Sequence, residues 1–477
     1  MAYGWPRRRS RRPVSKDEST MHPTLAIRTA TLASALVAAL GSSSTAHAQA
    51  VAGGTMTFAL TGDAIISRRL SPYKESAFIR LIEVIRSADV AFTNLEILFR
   101  TPGDGYPAAH SGGTWMTAEP VMAKELTWAG FDLVSRANNH TMDYMAGGLR
   151  STSRVLDEAG LVHAGAGENL AEARSPAYIE TAGGRVALIS VASTFSDEDR
   201  AGPQRGDTRG RPGLSPLRYN TRYEVTGEAM NALREAGRAA GFTNLQDSDT
   251  MRFLGTQFVV GDEPGRHTSV NTMDMAQIVA VVRDAKRQAD WVIVTSHSHE
   301  SDDSREIPAE FLVEFTHAVV DAGADIFIGH GPHVMRGIEI YNGKPIFYSL
   351  ANFIFQNETI RFLPGDMYER YGLDADALPG ELQDTRIGSS RSGGFPGNPD
   401  YWESVVAVPQ FTNGALVEII LHPVTLGHGK PRAQRGRPVL ADDDAGRRII
   451  ERVRDLSRAF GVNVQYDERR NVGVIRP

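Results

Sequence analysis

The 477-residue sequence contains no cysteine. Disulfides, thiolate nucleophiles and cysteine-ligated zinc are therefore excluded, and any metal has to be held by His, Asp, Glu, Asn and water. Positive charge is also scarce: 51 Lys and Arg stand against 57 Asp and Glu, a formal net charge of −6. Residues 1–50 carry seven basic and two acidic side chains, so a chain without them stands at −11. Surfaces that hold long polyanions are basic, so nucleic acid is not an expected partner. Internal repeats are lacking, as are low-complexity tracts apart from one Gly/Ser-rich loop. What remains is an ordinary globular balance, with 41% hydrophobic and 23% charged residues. It predicts one large domain with insertions.

Residues 1–50 have the order of a secretory leader. A basic flank is followed by the apolar run in "LAIRTATLASALVAALGSSSTAHAQA", which ends on two small-x-small sites, Ala46-His47-Ala48 and Ala48-Gln49-Ala50. The run is short for a membrane span and is quickly followed by polar residues, so a cleaved signal peptide and a periplasmic or secreted protein are expected. A retained N-terminal anchor is the alternative.

Beyond the leader, short apolar runs alternate with amphipathic stretches, the pattern of an α/β fold. Strands are predicted in "TMTFALT", "DVAFTN", "FDLVSRA", "RVALISVA", "WVIVTSH", "ADIFIGH" and "KPIFYSLANF". Helices are predicted from Glu75, Glu119, Ala146, Met273 and Pro308. Two stretches interrupt the alternation: an insertion over about 194–271 with one helix near Tyr223 to Gly241, and a loop or lid over about 356–401. A β-hairpin turning at Asn413-Gly414 follows, and residues 426–477 read as an extension with a terminal helix. The main domain is expected over 51–425.

Polar residues gather where the strands end. Asp63 closes the first, Asn94 and Glu96 the second, and Asn138, Asn139 and His140 the third. His297, His299 and Glu300 close "WVIVTSH", and His330 and His333 follow "ADIFIG". In open α/β sheets the carboxyl ends of strands form the ligand crevice, so groups spread along the chain converge there. Each has a plainer reading alone: Gly62-Asp63 as a turn, Asn138 as a loop clamp, His299 as a packing or surface histidine. Their joint placement favours a site. Carboxylates, amides and imidazoles without sulfur suit Mn, Fe or Zn, and a carboxylate such as Glu96 is able to bridge two ions. A metal pair lowers the pKa of a bound water and stabilises charge on a phosphoryl or acyl oxygen. An imidazole beside it, His140, would protonate a leaving group.

The stretches "GDAIISR", "FTNLE", "ANNHTMDYMAGGL", "HAGAGENLAEARSPAYIE", "SHSHE" and "GADIFIGHGPHVMRGIEIYNGKPIFYSLANFIF" resemble the successive motifs of the CapA family of poly-γ-glutamate capsule biosynthesis proteins. That family is similar in fold to the calcineurin-like metallophosphoesterases. The resemblance implies a four-layer αββα sandwich with two divalent ions held by Asp63, Glu96, Asn139, His297, His330 and His333. It makes His140 the catalytic imidazole, with Glu300 beside it and Asn94, Asn138 and His299 toward the substrate. Ile65 stands where the wider phosphoesterase pattern has histidine, and Asn-Leu-Glu where it has Gly-Asp. The implied function is a metal-dependent hydrolase acting on a phosphoester or amide bond in capsule-polymer metabolism. Its substrate would be an anionic polymer or a small phosphoester or amide, with transient association with membrane capsule machinery. The alternative is a non-catalytic accessory protein that binds anionic polymer during assembly or export.

Overall fold

The computed structural model describes residues 54–111, 113–389 and 397–477; the expected leader lies outside them, as does part of the Gly/Ser-rich loop. The first half contains β1 (Thr55–Ile65), α1 (Ser76–Ser87), β2 (Val90–Leu95), α2 (Val121–Ala129), β3 (Leu133–Ser135), α3 (Met145–Ala159), β4 (Val162–Ala164), β5 (Ala177–Thr181) and β6 (Gly184–Ala192). Then come α4 (Thr272–Gln288), β7 (Trp291–His297), α5 (Glu310–Asp321), β8 (Ile326–His330), β9 (Ile338–Tyr341), β10 (Lys344–Phe347) and β11 (Asn352–Phe355). The chain closes with β12 (Glu403–Thr412), β13 (Ala415–Thr425), α6 (Asp443–Ser457), β14 (Gln465–Asp467) and β15 (Val472–Ile475).

Two sheets face each other. One runs β14-β15-β13-β12-β1-β2-β3-β4, with β11 beside the C-terminal end of β1. In it β1 to β4 and β11 are parallel, whereas β12 and the strands beyond are antiparallel. The second runs β9-β10-β8-β7-β6-β5, parallel from β10 to β6. Side-chain alternation along each strand sorts the apolar residues into layers. Phe58 and Leu60 of β1 point between the sheets with Phe92, Val186, Leu188, Ile293 and Ile328. Ala59 turns the other way, onto Phe78, Leu81 and Leu126 of α1 and α2. Ala187 and Ile189 of β6 turn onto Ile278, Val282 and Phe315 of α4 and α5. The order helices, sheet, sheet, helices is the four-layer sandwich expected from the sequence.

Some local expectations are corrected. "KPIFYSLANF" is not one strand: it breaks into β10 and β11, which belong to different sheets. The break falls at Ala351, whose φ of 60° leaves the extended region, and an alanine carries no turn signal to warn of it. The insertion holds more than a helix. Beside Gly227–Ala239 stands a four-stranded sheet of Thr250–Phe253, Thr256–Val260, Tyr219–Val225 and Gly265–Val270. These strands are polar and half-exposed, so they lack the apolar signal of core strands. Within 356–401, the helices Gly365–Arg370 and Pro379–Ser389 replace the expected loop, and Met367 and Leu382 are buried against Leu98, Trp115 and Tyr144. The last helix is not terminal. Its Ile449, Ile450 and Val453 enter the core between the sheets, and β14 and β15 then extend the first sheet. The Asn413-Gly414 hairpin turn forms as expected, with φ of 53° and 79° at its two positions. Among the described residues no helix is long and apolar enough to cross a membrane.

One backbone approach sets the geometry at the end of β1. The Asp63 amide donates to the Ala351 carbonyl at 2.9 Å. A Cβ on Gly62 would lie 1.8 Å from that same oxygen, so only glycine fits. Replacing Gly62 by alanine forces the two segments apart, and a loss of about 3 kcal/mol is expected. Urea unfolding of Gly62→Ala measures it; an unchanged midpoint would show that β1 and β11 have slack here.

Candidate metal centre

The parallel strands deliver the site. Asp63 and Asn94 are register partners in β1 and β2, and His297 and His330 are partners at the last residues of β7 and β8. Glu96, Asn139, His140, His299 and His333 follow strand ends. Facing sheets thus bring one end of each layer together, and the donor atoms fall into three interlocking groups. Asp63, His297 and His330 form one, Glu96, His297 and His299 a second, and Asp63, Glu96 and His333 a third; within each, the ligating atoms lie within 4.8 Å of one another. Each pair of groups shares one residue.

Hydrogen bonds behind the cluster fix which ring nitrogens face it. The Thr295 hydroxyl donates to the Ile328 carbonyl at 2.8 Å, so it accepts from His330 Nε2–H at 2.6 Å. His330 Nδ1 is left as the lone pair, 3.6 Å from Asp63 Oδ1. Asn352 Nδ2 donates to the carbonyls of His333 and Tyr401, which leaves its oxygen to accept from His333 Nδ1–H at 2.9 Å. His333 Nε2 then faces Glu96, 3.8 Å away. His297 uses both edges: Nδ1 lies 3.0 Å from His330 Nδ1, and Nε2 lies 3.0 Å from His299 Nε2. The Gly331 amide, in a loop at φ 111°, donates to Asp63 Oδ2 at 3.1 Å.

His140 stands at the edge of this cluster. Its Nδ1 is 2.8 Å from Asp143 Oδ2, so Nδ1–H donates to the carboxylate and Nε2 turns inward, 3.8 Å from Glu96 Oε1. Asn139 Nδ2 lies 3.3 Å from that Nε2. Asp143 is buried and also accepts from the Met116 amide at 2.6 Å. Sequence reasoning noticed no role for Asp143, although its spacing three residues after His140 was the available signal. Ser135, Thr295 and Asn352 were missed for lack of any signal, being ordinary residues of a strand or a strand start.

The structure separates the expected site residues by position. Asn94 is fully buried, with Nδ2 donating to Asp63 Oδ1 at 2.8 Å and Oδ1 accepting from the Ser135 hydroxyl at 2.7 Å. Asn138 donates to the Leu95 carbonyl at 2.8 Å and accepts from the His140 amide at 3.1 Å. Both amides are engaged behind the cluster rather than open toward a substrate. His299, by contrast, comes within liganding distance of Glu96 and His297. Glu300 is turned aside: its oxygens accept from Ser193 and Thr194 hydroxyls at 2.6–3.1 Å.

Charge balance indicates what the cluster holds. Both oxygens of Glu96 and Oδ1 of Asn139 are buried with no hydrogen-bond donor among the described residues. A carboxylate in that position costs several kcal/mol unless a cation meets it. Burial, then the nearby Asp63 and Asp143 charges, push Glu96 well above its ordinary value. Burial, then the other imidazoles, hold His297 and His299 well below theirs. Burial brings His330 down to about 4, against the pull of Asp63. Asp63 is also opposed by burial, but His333, His330 and Asn94 keep it below the usual carboxylate range. Neutral imidazoles turned toward orphaned carboxylate oxygens fit divalent metal, and the donor set contains no sulfur.

Comparison with known proteins gives the chain's relatives. Residues 57–357 match the family described as "Bacterial capsule synthesis protein PGA_cap". The chain is 38% identical over 431 residues to the "Uncharacterized protein y4sH" of Sinorhizobium fredii, covering 88% of this chain and 93% of that protein. It is 28% identical over 241 residues to the "Capsule biosynthesis protein CapA" of Bacillus anthracis, covering 50% of this chain but 44% of that protein. A solved 5'-nucleotidase precursor from Thermus thermophilus aligns with 82% of this chain and 55% of its own, at 10% identity and a TM-score of 0.31.

The depressed imidazoles make a prediction for metal-free protein. A group whose folded pKa is lowered stabilises above its unfolded value and loses that contribution as pH falls through the folded one. His330, lowered from 6.5 to about 4, should therefore withdraw about 3 kcal/mol across that window, with His297 and His299 acting in the same direction. Glu96, with its raised value, acts oppositely: its contribution is present at low pH and lost on going up. Asp143 and Asp199, also raised, act in the same sense as Glu96, so the His330 contribution is read as the difference between wild type and His330→Asn in urea titrations in chelator from pH 6.5 toward pH 4. His330→Asn should flatten the slope, and an equally steep fall in that variant would place the titration elsewhere.

Proposed function

This chain belongs to the bacterial capsule synthesis protein family PGA_cap, and from that membership we propose that it is a metal-dependent hydrolase of capsule-polymer metabolism, working in the periplasm or outside the cell. The observation that carries the reading is Glu96, buried with no donor to either oxygen among the described residues, at the meeting point of four imidazoles and a second carboxylate. Asp63, Glu96, His297, His299, His330 and His333 would hold two divalent ions, with Asn139 as a further oxygen donor. Bound there, the ions would supply an activated water and stabilisation of charge on the oxygen of a phosphoester or amide.

The chain's own groups do the rest. Asp143 fixes the ring of His140 and its tautomer, so that Nε2 is the atom exchanging a proton with the leaving group. Asn139 Nδ2 keeps that nitrogen aimed inward until substrate replaces it. Thr295 and Asn352 hold the rings of His330 and His333 with their lone pairs toward the cluster, as outer hydrogen bonds do in metal sites. Asn94 and Ser135 position Asp63 from behind. Burial holds His297, His299 and His330 below the ordinary imidazole range, which leaves their ring nitrogens free to meet a metal below neutral pH.

The test is purified chain from Val51, loaded with Mn²⁺, on an aryl phosphodiester, an aryl phosphomonoester and poly-γ-glutamate. His140→Ala should retain its metal by elemental analysis and lose about 10²- to 10⁴-fold in kcat. Glu96→Gln should lose metal and activity together. A wild-type chain that keeps two ions and binds polymer without turning any substrate over would be the accessory binder instead.

A further inference from the structure

The donors of the cluster are not all held in the same way. Asp63, His297 and His330 lie within β1, β7 and β8, where pairing with neighbouring strands fixes the backbone. His299 completes a different group, with Glu96 and His297, and it lies two residues beyond the end of β7, outside any strand or helix. A backbone that leaves its ladder has carbonyls in need of donors, and a ring carried by it is only as well placed as those carbonyls.

One buried side chain meets them. Arg336 is 1% exposed. Its Nη2 donates to the Glu300 carbonyl at 2.8 Å and to the His299 carbonyl at 3.4 Å, and its Nη1 to the Ser298 carbonyl at 3.4 Å. Its Nε donates to the Arg305 carbonyl at 3.0 Å, farther along the same loop. Burial lowers Arg336 to about 10, against the pull of Glu300, so the group stays charged at neutral pH. A planar guanidinium spreads its donors over several carbonyls in this way, whereas a lysine presents its donors from one point. Thr194, just past β6, takes the other polar groups of the loop: its hydroxyl accepts from the His299 amide at 2.8 Å and donates to the Glu300 carboxylate at 3.0 Å. Gly331 leaves room for the ring, since a Cβ there would lie 3.0 Å from His299 Cδ2. So held, His299 turns its Nε2 to within 3.0 Å of His297 Nε2.

We propose that Arg336 is a positioning residue that builds one of two unequal metal positions, by fixing the loop that carries His299. The proposal rests on the two-ion part of the reading above. The position of Asp63, His297 and His330 is made by strands and does not need Arg336. The position of Glu96, His297 and His299 depends on a loop, and on the buried guanidinium beneath it, so its ion is the weaker and the first to leave. Glu300 also gains a role here, as an anchor of the loop through Ser193 and Thr194.

The experiment reads metal, not turnover. Chelator-stripped protein is titrated with Mn²⁺ and followed by equilibrium dialysis and electron paramagnetic resonance, in which neighbouring Mn²⁺ ions give a spin-coupled spectrum and a lone ion does not. Wild type should bind two ions in separate steps. Arg336→Met should keep the tighter ion and bind the weaker one about 10- to 100-fold less well, losing the coupled spectrum at Mn²⁺ levels that saturate wild type. Arg336→Lys, which keeps the charge without the fork, should behave the same way. Thr194→Val alters the loop with little change of shape, so it carries the test should Arg336→Met fail to fold, and it should weaken the same ion. His299→Ala combined with Arg336→Met should lose no more of that affinity than His299→Ala alone, which a merely structural arginine would not produce. Wild-type affinity for both ions in Arg336→Met or, where that variant does not fold, in Thr194→Val would overturn the proposal, as would additive losses in the double variant. The expected losses in a protein that hydrolyses nothing would support the positioning role while removing the hydrolase reading, and a wild type that binds no ion would remove both.

Discussion

Two carboxylates and four imidazoles meet in a space that water barely reaches, and everything around them serves to keep them there. Left to themselves, these groups conflict. Among the described residues Glu96 has no donor for either oxygen, and His297 faces another imidazole on each edge at 3.0 Å. Charge taken from water without a partner costs several kcal/mol per ion, which the fold has to offset elsewhere. The offset lies in the layered core, where inward residues of both sheets and outward residues under the helices are almost wholly buried. A cation that binds the folded cluster better than the unfolded chain adds its own binding energy to that stability.

The cluster also depends on hydroxyls and amides that never touch it as ligands. Thr295 decides which nitrogen of His330 is free because its own proton is committed to the Ile328 carbonyl. Asn352 decides the same for His333 because its nitrogen is committed to two carbonyls. These assignments follow from donor counting alone. Asn352 sits at the start of β11, just after the chain crosses from one sheet to the other at Ala351. The sheet crossing and the orientation of a candidate ligand are thus one structural event, and Gly62 permits it by leaving room for the Ala351 carbonyl.

Much of this was legible in the sequence. The alternation of elements gave the α/β class, because a half-buried strand and an amphipathic helix each leave a periodic trace, and the four-layer sandwich followed from the family resemblance. Strand-end placement gave the gathering of Asp63, Glu96, His297, His330 and His333, because parallel sheets put those ends together. The signal failed where it depends on contacts between distant segments. Asn94 and Asn138 look like substrate groups on paper, yet their partners, Asp63, Ser135 and the Leu95 carbonyl, show them engaged behind the cluster. Glu300 follows a histidine and reads as part of the site, but Ser193 and Thr194, about a hundred positions earlier, draw it aside. The insertion strands escaped notice because a polar, half-exposed strand has the composition of a loop.

Those failures share a direction. The sandwich is built from periodic sequence and holds the cluster; the irregular sequence lies at the same end and packs beside it. The segment around Trp115 and the helix of Met367 pack together over Tyr144, four residues from His140. The insertion reaches Glu300 through Tyr219, beside His299. Both attach to loops that leave the carboxyl ends of the parallel strands, where a change of length or composition leaves the core untouched. A chain organised this way is able to change its insertion in length and composition while Asp63, Glu96, the four imidazoles and His140 stay in register, because the strands that place them belong to the sandwich and not to the insertion.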